Sequence, residues 1–302
     1  MMQPVHRIQS HGANAVFGRV VFDLPKAVWN IGFVFAAIAL APFFVSFSAV
    51  LFFIVSIWLS LLIGHSAGMH RMMIHKTFDV PKWLERTLIY VGVLVGMSGP
   101  FGIIRIHDTR DWAQRQAQCH DFFSHSRPFW QDLFWQLTCK FEFDSPPRLV
   151  IEKQFAEDIV YQFLEHTWRW QQLLLAMVLY QIGGFDLVVW GVFVRVAVSI
   201  VGHWTITYFC HTAFEQTSTA GKWKVKNAAV QASNLKGLGY LTYGECWHNN
   251  HHAFPESAQI GLEDNQPDPA YWFIDLLARN GLATNVGKPR VDKLRDDLII
   301  TD

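Results

Sequence analysis

The sequence predicts an all-α integral membrane protein: four transmembrane helices in two hairpins, with a cytoplasmic helical domain that carries its histidine-rich stretches. Three observations lead there. The 302-residue chain is 51% hydrophobic and only 17% charged, with zero formal net charge, a composition too apolar for an ordinary soluble domain. From Ala27 to Ile63 there is no charged residue, about twice the roughly 20 residues that one crossing needs. Thirteen tryptophans suit a protein with membrane interfaces to anchor, because indole rings favour the headgroup level. The neutral balance supplies no basic patch, which argues against nucleic acid as a partner.

Taken in order, residues 1–26 form a mixed, polar N-terminal segment ending in Asp23-Leu24-Pro25-Lys26. It shows no charged-then-apolar-then-small cleavage pattern, so it reads as mature sequence. Residues 27–65 are the first hairpin. Its turn is expected between Ala41-Pro42 and Ser46, where proline and small polar residues break the apolar run. Residues 66–166 are expected on the cytoplasmic side. Residues 167–208 form the second hairpin, broken by Gly183-Gly184 and Asp186, with Arg195 inside its second arm. A charge there must face protein or water, or snorkel to a headgroup. Residues 209–302 complete the cytoplasmic part of a single domain spanning 1–302.

Neither turn carries Lys or Arg, whereas Lys26, Arg71, Lys76, Lys82, Arg86 and Arg169 flank the other ends, so both termini are expected inside. One run competes with this scheme. Thr87 to Ile104 is uncharged and nearly long enough to span, but a single crossing would put His70 and His107 on opposite faces of the membrane. Because it contains Gly96, Gly99 and Pro100, it is read as a core or interfacial helix, with a third span as the alternative. Cys119, Cys139, Cys210 and Cys246 form no CxxC pair and are expected to be reduced thiols.

The chemistry concentrates in His248-Asn249-Asn250-His251-His252. Histidines at i, i+3 and i+4 share one helical face, and neutral imidazole suits iron, zinc or copper, with adjacent residues able to serve two ions. A single histidine there would more often be a satisfied polar side chain; three together point to metal. His70 and His75, behind Gly64-His65-Ser66-Ala67-Gly68-Met69, are about 140° apart on an ideal helix. Either that helix distorts or the two ligate from different sides.

With Trp247 before it and Ala253-Phe254-Pro255 after it, the His248–His252 stretch resembles the third histidine box of the membrane fatty-acid desaturases, the acyl-CoA type in particular. The HRxxxH form at His70–His75, followed by Lys76-Thr77-Phe78, resembles their first box. Trp204 to His211 resembles the end of the family's fourth membrane helix, which makes His211 a metal ligand by resemblance and puts Thr207 where the family has a water-holding asparagine. His203 is an extra candidate for a supporting role. The family's second box is HRxHH, and here it is degenerate: His107-Asp108-Thr109-Arg110-Asp111. Arginine keeps its proton and cannot ligate, but a carboxylate suits iron, and His107 and Asp111 share a helical face. The bland alternative is that Asp108, Arg110 and Asp111 form a solvated charge cluster. His120 and His125 resemble a histidine-containing segment after that box, at shortened spacing. Asp268 to Leu277 resembles the family's C-terminal helix, and its Trp272, Phe273, Leu276 and Leu277 follow helical spacing.

The resemblance runs from about Leu61 to about Lys288. It implies a double bond introduced into a fatty acyl thioester such as an acyl-CoA, at a centre of two iron ions, with molecular oxygen as co-substrate. The implied ligands are His70, His75, His107, His211, His248, His251 and His252, with Asp111 added on its chemistry. No fused haem domain or flavin fingerprint is visible, so a separate cytochrome or ferredoxin is implied as electron donor. A lipid hydroxylase on the same metal site, or an inactive protein of the same fold, are the alternatives.

Overall fold

The computed structural model describes residues 6–216, 221–292 and 294–301, with side chains of 213–216 left aside. The first few residues of the N-terminal segment and 217–220 of the C-terminal part lie outside that description. Helix α1, Leu24–Leu40, starts where the Asp23 side chain accepts from the Lys26 amide with Pro25 in the first turn, satisfying donors that a helix start leaves free. After a turn, Ser46 caps α2, Phe47–Leu59, and the chain runs on without a break as a π-helix, Ser60–Ile74. The combined helix, Phe47–Ile74, is long and apolar enough to cross a membrane. So is Ile159–Thr212. That stretch is not one rod: α8, Ile159–Val188, is interrupted at Gly183 and Gly184, the latter at φ 73°, a left-handed conformation that glycine adopts without penalty. A short π-helix, Val189–Val194, then leads into α9, Arg195–Gln216.

The two turns adjoin. Trp190 Nε1 donates to the carbonyl of Phe44 at 2.7 Å, and the Phe44 and Phe185 rings meet edge to face at 4.8 Å. Around them α1, the turn after it, α2 and α8 leave Phe35, Ile38, Phe43, Phe47, Met177 and Ile182 exposed. A contiguous apolar surface of this kind is tolerated against lipid rather than water, and the protein is membrane-associated.

The run from Thr87 to Ile104 is two helices, α3, Lys82–Leu94, and α4, Pro100–Gln114, with Gly96 at φ 84° between them. No single helix crosses there. The break is held by Arg195, whose guanidinium donates to the Gly191 carbonyl, to Gln172 Oε1 and to the Leu94 carbonyl at the end of α3. Gln172 Nε2 adds a second donor to that carbonyl at 2.9 Å. Thus the buried charge inside an apolar segment is fully used on polar partners, and α3 has its last carbonyls capped. Gly64 and Gly68 of the π-helix lie against the backbone of α3 at Gly92 and Leu88, so only hydrogen fits where the two helices touch.

Smaller elements complete the fold: α5, Asp121–Ser124; α6, Phe129–Thr138; α7, Lys153–Ala156; α10, His248–Ala253; and α11, Pro269–Arg279. Three two-stranded antiparallel ribbons, unanticipated from sequence, tie distant segments together: β1 Ile8–Gln9 with β4 Arg148–Leu149, β2 Gly18–Phe22 with β3 Cys139–Phe143, and β5 Trp223–Val225 with β6 Leu298–Ile300. The main core is built on Met69, Met73, Leu88, Ile89, Ile104 and Ile274. Helix α11 therefore caps the π-helix with Ala270, Ile274 and Leu277 and leaves Trp272 and Leu276 facing outward.

Candidate metal centre

The structure gathers the predicted histidines into two sets. His70, His75, His107 and His251 form one; His211, His248 and His252 form the other. Within each set one nitrogen per ring lies within 4.8 Å of all the others. The π-helix explains the first-box spacing. Its bonds run from i to i+5, as in the His75 amide to His70 carbonyl bond of 3.0 Å, so residues five apart stack on one side. The six-residue α10 divides its three imidazoles, His251 to the first set and His248 and His252 to the second.

The intervening asparagines face away and pin that helix. Asn249 Nδ2 donates to the carbonyls of Trp223 and Ala232, and its Oδ1 accepts from the Trp223 amide. Asn250 Nδ2 donates to the Ile260 carbonyl and to Gln266 Oε1. Asn234 closes the network by bonding Asn250 Oδ1 and the Asn249 amide.

Several rings are oriented through one nitrogen, which frees the other. His70 Nδ1 lies 2.8 Å from Glu245 Oε2, His107 Nδ1 3.2 Å from Asp108 Oδ1, and His211 Nδ1 donates to the Thr207 carbonyl at 2.7 Å. Such partners fix the tautomer and aim the remaining lone pair. The free nitrogens then crowd together: His75 Nε2 and His107 Nε2 at 3.3 Å, His248 Nε2 and His252 Nε2 at 3.1 Å. His211 Nε2 and His251 Nδ1 are buried with no hydrogen-bond partner among the described residues. Buried polar atoms without partners are costly, and a cation held by each set would satisfy them. Burial and neighbouring imidazoles hold His75, His248 and His251 well below the ordinary histidine range, and burial takes His252 to about 4. All are therefore neutral at pH 7, the form that binds metal.

Asp111 lies beside the second set, with Oδ1 4.0 Å from His252 Nε2. Burial alone would raise its carboxyl, but Arg115, then His252 and His107, outweigh that and hold it far below the usual range. Arg115, 3.6 Å away, balances the charge. The second-box charges are thus no solvated surface. Asp108 pairs with Arg7 at 3.1 Å rather than with Arg110, whose Nη2 reaches Gln136 Oε1 at 3.4 Å. Sequence reasoning missed Arg7, which also donates to the Met73 and Ile74 carbonyls at the end of the π-helix and to Glu152. It missed Glu245 as well. That carboxylate sits at the junction of His70, Ser66 and Arg71, and its place just ahead of Trp247 and the third box was the available signal.

The remaining histidines separate. His65 and His203 pair edge to face at 5.1 Å outside both sets. His120 caps α5, accepting from the Phe122 amide at 3.1 Å, and packs on Phe141, so its role is structural. His125 lies against His211, ring to ring at 5.5 Å.

The family profile described as "Fatty acid desaturase" matches residues 46–260, which include every member of both histidine sets. The chain belongs to the fatty acid desaturase family. It is similar to an sn-1 stearoyl-lipid 9-desaturase from Anabaena variabilis, 34% identical over 85% of this chain and 89% of that protein. An sn-2 palmitoyl-lipid 9-desaturase from Nostoc sp. is 33% identical over 87% of this chain and 91% of its own length. An acyl-CoA 5-desaturase from Anemone leveillei is 32% identical over 82% and 75%. As a member of this desaturase family the protein is an oxygen-dependent oxidoreductase of lipid metabolism, and its histidine sets are groups that could hold metal.

Proposed function

We propose that the protein introduces a double bond into a fatty acyl chain at a two-iron centre. His70, His75, His107 and His251 would hold one iron, and His211, His248 and His252, with Asp111, the other. The observation that carries this reading is the meeting of those imidazoles in two sets at one end of the long apolar helices. A nitrogen-rich donor set with one carboxylate suits iron that reacts with oxygen. When bound, the irons and molecular oxygen supply the oxidising power to remove two hydrogens from unactivated methylenes, which no acid or base side chain can do alone. The chain's own part is to orient and shield. Glu245, Asp108 and the Thr207 carbonyl aim the rings, and Arg71, buried between Glu245, Asp268 and the Ala258 carbonyl, locks the first-box helix to the third-box loop.

The whole of 1–302 acts as one unit crossing the membrane four times, with the metal centre and both termini on the cytoplasmic side. The acyl-CoA relative supports a thioester carrier, and the two acyl-lipid relatives support a lipid-linked one. Electrons come from a separate cytochrome or ferredoxin. Lipid profiling of cells with and without the protein, with acyl-CoA and glycerolipid pools analysed apart, tests the reading. A new double bond in either pool is expected and identifies the carrier. A new hydroxyl, or no change under full expression with iron present, would overturn it.

A further inference from the structure

We propose that His125 is a ligand of the second metal, completing the set formed by His211, His248 and His252; this rests on the desaturase reading above. His125 is wholly buried. Its Nδ1 lies 3.0 and 3.2 Å from the two oxygens of Asp132, itself fully buried and fixed by a 2.7 Å bond from Trp204 Nε1. With the proton held on Nδ1 by that carboxylate, Nε2 carries a lone pair. That atom has no hydrogen-bond partner among the described residues. His125 thus uses one nitrogen, on Asp132, and leaves the other free.

The other nitrogen belongs to a ring stacked on His211, nearly parallel at 15° and 5.5 Å between centroids. That separation equals the one between His211 and His252, and the rings of the four-histidine set lie 4.5 to 6.4 Å apart. The arrangement repeats what the two sets already display: His70 on Glu245 and His211 on the Thr207 carbonyl, each with its second nitrogen turned inward. A carboxylate behind a histidine is the usual outer partner of a metal-bound imidazole. The backbone of His125 is also held in the left-handed region, at φ 55° and ψ 26°, a conformation that costs free energy and concentrates at functional sites. The second set has one imidazole fewer than the first, and the nearby Arg110 cannot ligate. His125, directly after α5, meets that set at His211 while lying outside the 4.8 Å circle of its three nitrogens, and binding metal would draw it in as the further nitrogen.

The test is iron content and the iron spectrum of the full-length protein purified in detergent from iron-replete cells. The wild-type chain is compared with His125→Phe, His125→Ala, Asp132→Asn and the structural control His120→Ala. Phe fills the ring's volume without a donor atom, so it separates ligation from packing. Expected are near two irons in wild type and His120→Ala, near one in both His125 variants, and roughly 10- to 100-fold weaker retention of the second iron in Asp132→Asn. Two irons with an unchanged spectrum in His125→Phe would overturn the proposal and leave the desaturase reading standing. So would a wild type with one iron that His125→Phe does not alter. A wild type with no iron would overturn both.

Discussion

In the proposed site, Asp111 is the side chain on which the second metal position would turn. Its carboxylate stands beside His252 and is balanced by Arg115, so Asp111→Ala should lose iron and activity together. Asp111→His, which restores an imidazole at that place, should retain iron; metal analysis of the purified variants decides it. Full iron content and activity in Asp111→Ala would make the carboxylate a mere partner for Arg115. The buried imidazoles carry a second expectation. His252 has a folded pKa of about 4 against an ordinary 6.5, so between those values the unfolded chain takes up a proton that the folded chain refuses. Stability is therefore fully present above pH 6.5 and declines as pH falls toward 4. Chelator-treated protein should melt at a lower temperature at pH 5.5 than at pH 7.5, with no further gain at pH 8.5. At this scale the third-box histidines were legible because type and spacing alone place them on one helix. Glu245 and Arg7 were not. Their roles depend on partners 175 and 67 residues away in the chain.

The π-helix is the element that reconciles the first box with the single metal position proposed for it. The spacing of His70 and His75 left open whether the helix distorts or the two ligate from different sides, and the distortion that settles it accompanies the tight seam between Gly64, Gly68 and α3. A methyl group at Gly64 would overlap the Gly92 and Val91 backbone, and backbone cannot swing aside as a side chain can. Gly64→Ala should therefore destabilise the fold by about 1–3 kcal/mol and weaken metal retention. Gly32→Ala, where nothing lies within 4 Å, should do neither; thermal unfolding in detergent compares them. The reading of Thr87–Ile104 as something other than one crossing rested on the need for His70 and His107 to share one side and on Gly96, Gly99 and Pro100, and the chain breaks at those last residues. What sequence could not show is that Arg195 and Gln172 secure the break from another helix.

At the scale of the whole molecule, the turns after α1 and within α8 meet at one end, and the histidines meet at the other. The proposed orientation then predicts that a membrane-impermeant thiol reagent reaches Cys119, partly exposed, only from the cytoplasmic side. Labelling of Cys119 in intact cells would overturn that topology. Cys246, just before the third box, is completely buried and should stay unlabelled in the folded protein from either side. Cys139 and Cys210 are buried too, and all four thiols are free.

Arg71 also sets an order in time. It is almost wholly enclosed, and its partner Asp268 follows 197 residues later. At bacterial or eukaryotic rates of synthesis that interval is roughly 10–40 s. For most of it the first-box helix exists without either carboxylate that Arg71 pairs with, Glu245 or Asp268, and the third-box histidines, made only shortly before Asp268, do not yet exist. In the proposed site, loading of the metals must therefore wait until synthesis has passed His252. A nascent chain stalled before Asp268 should be recognised and cleared by membrane quality control, however well its first helices have inserted.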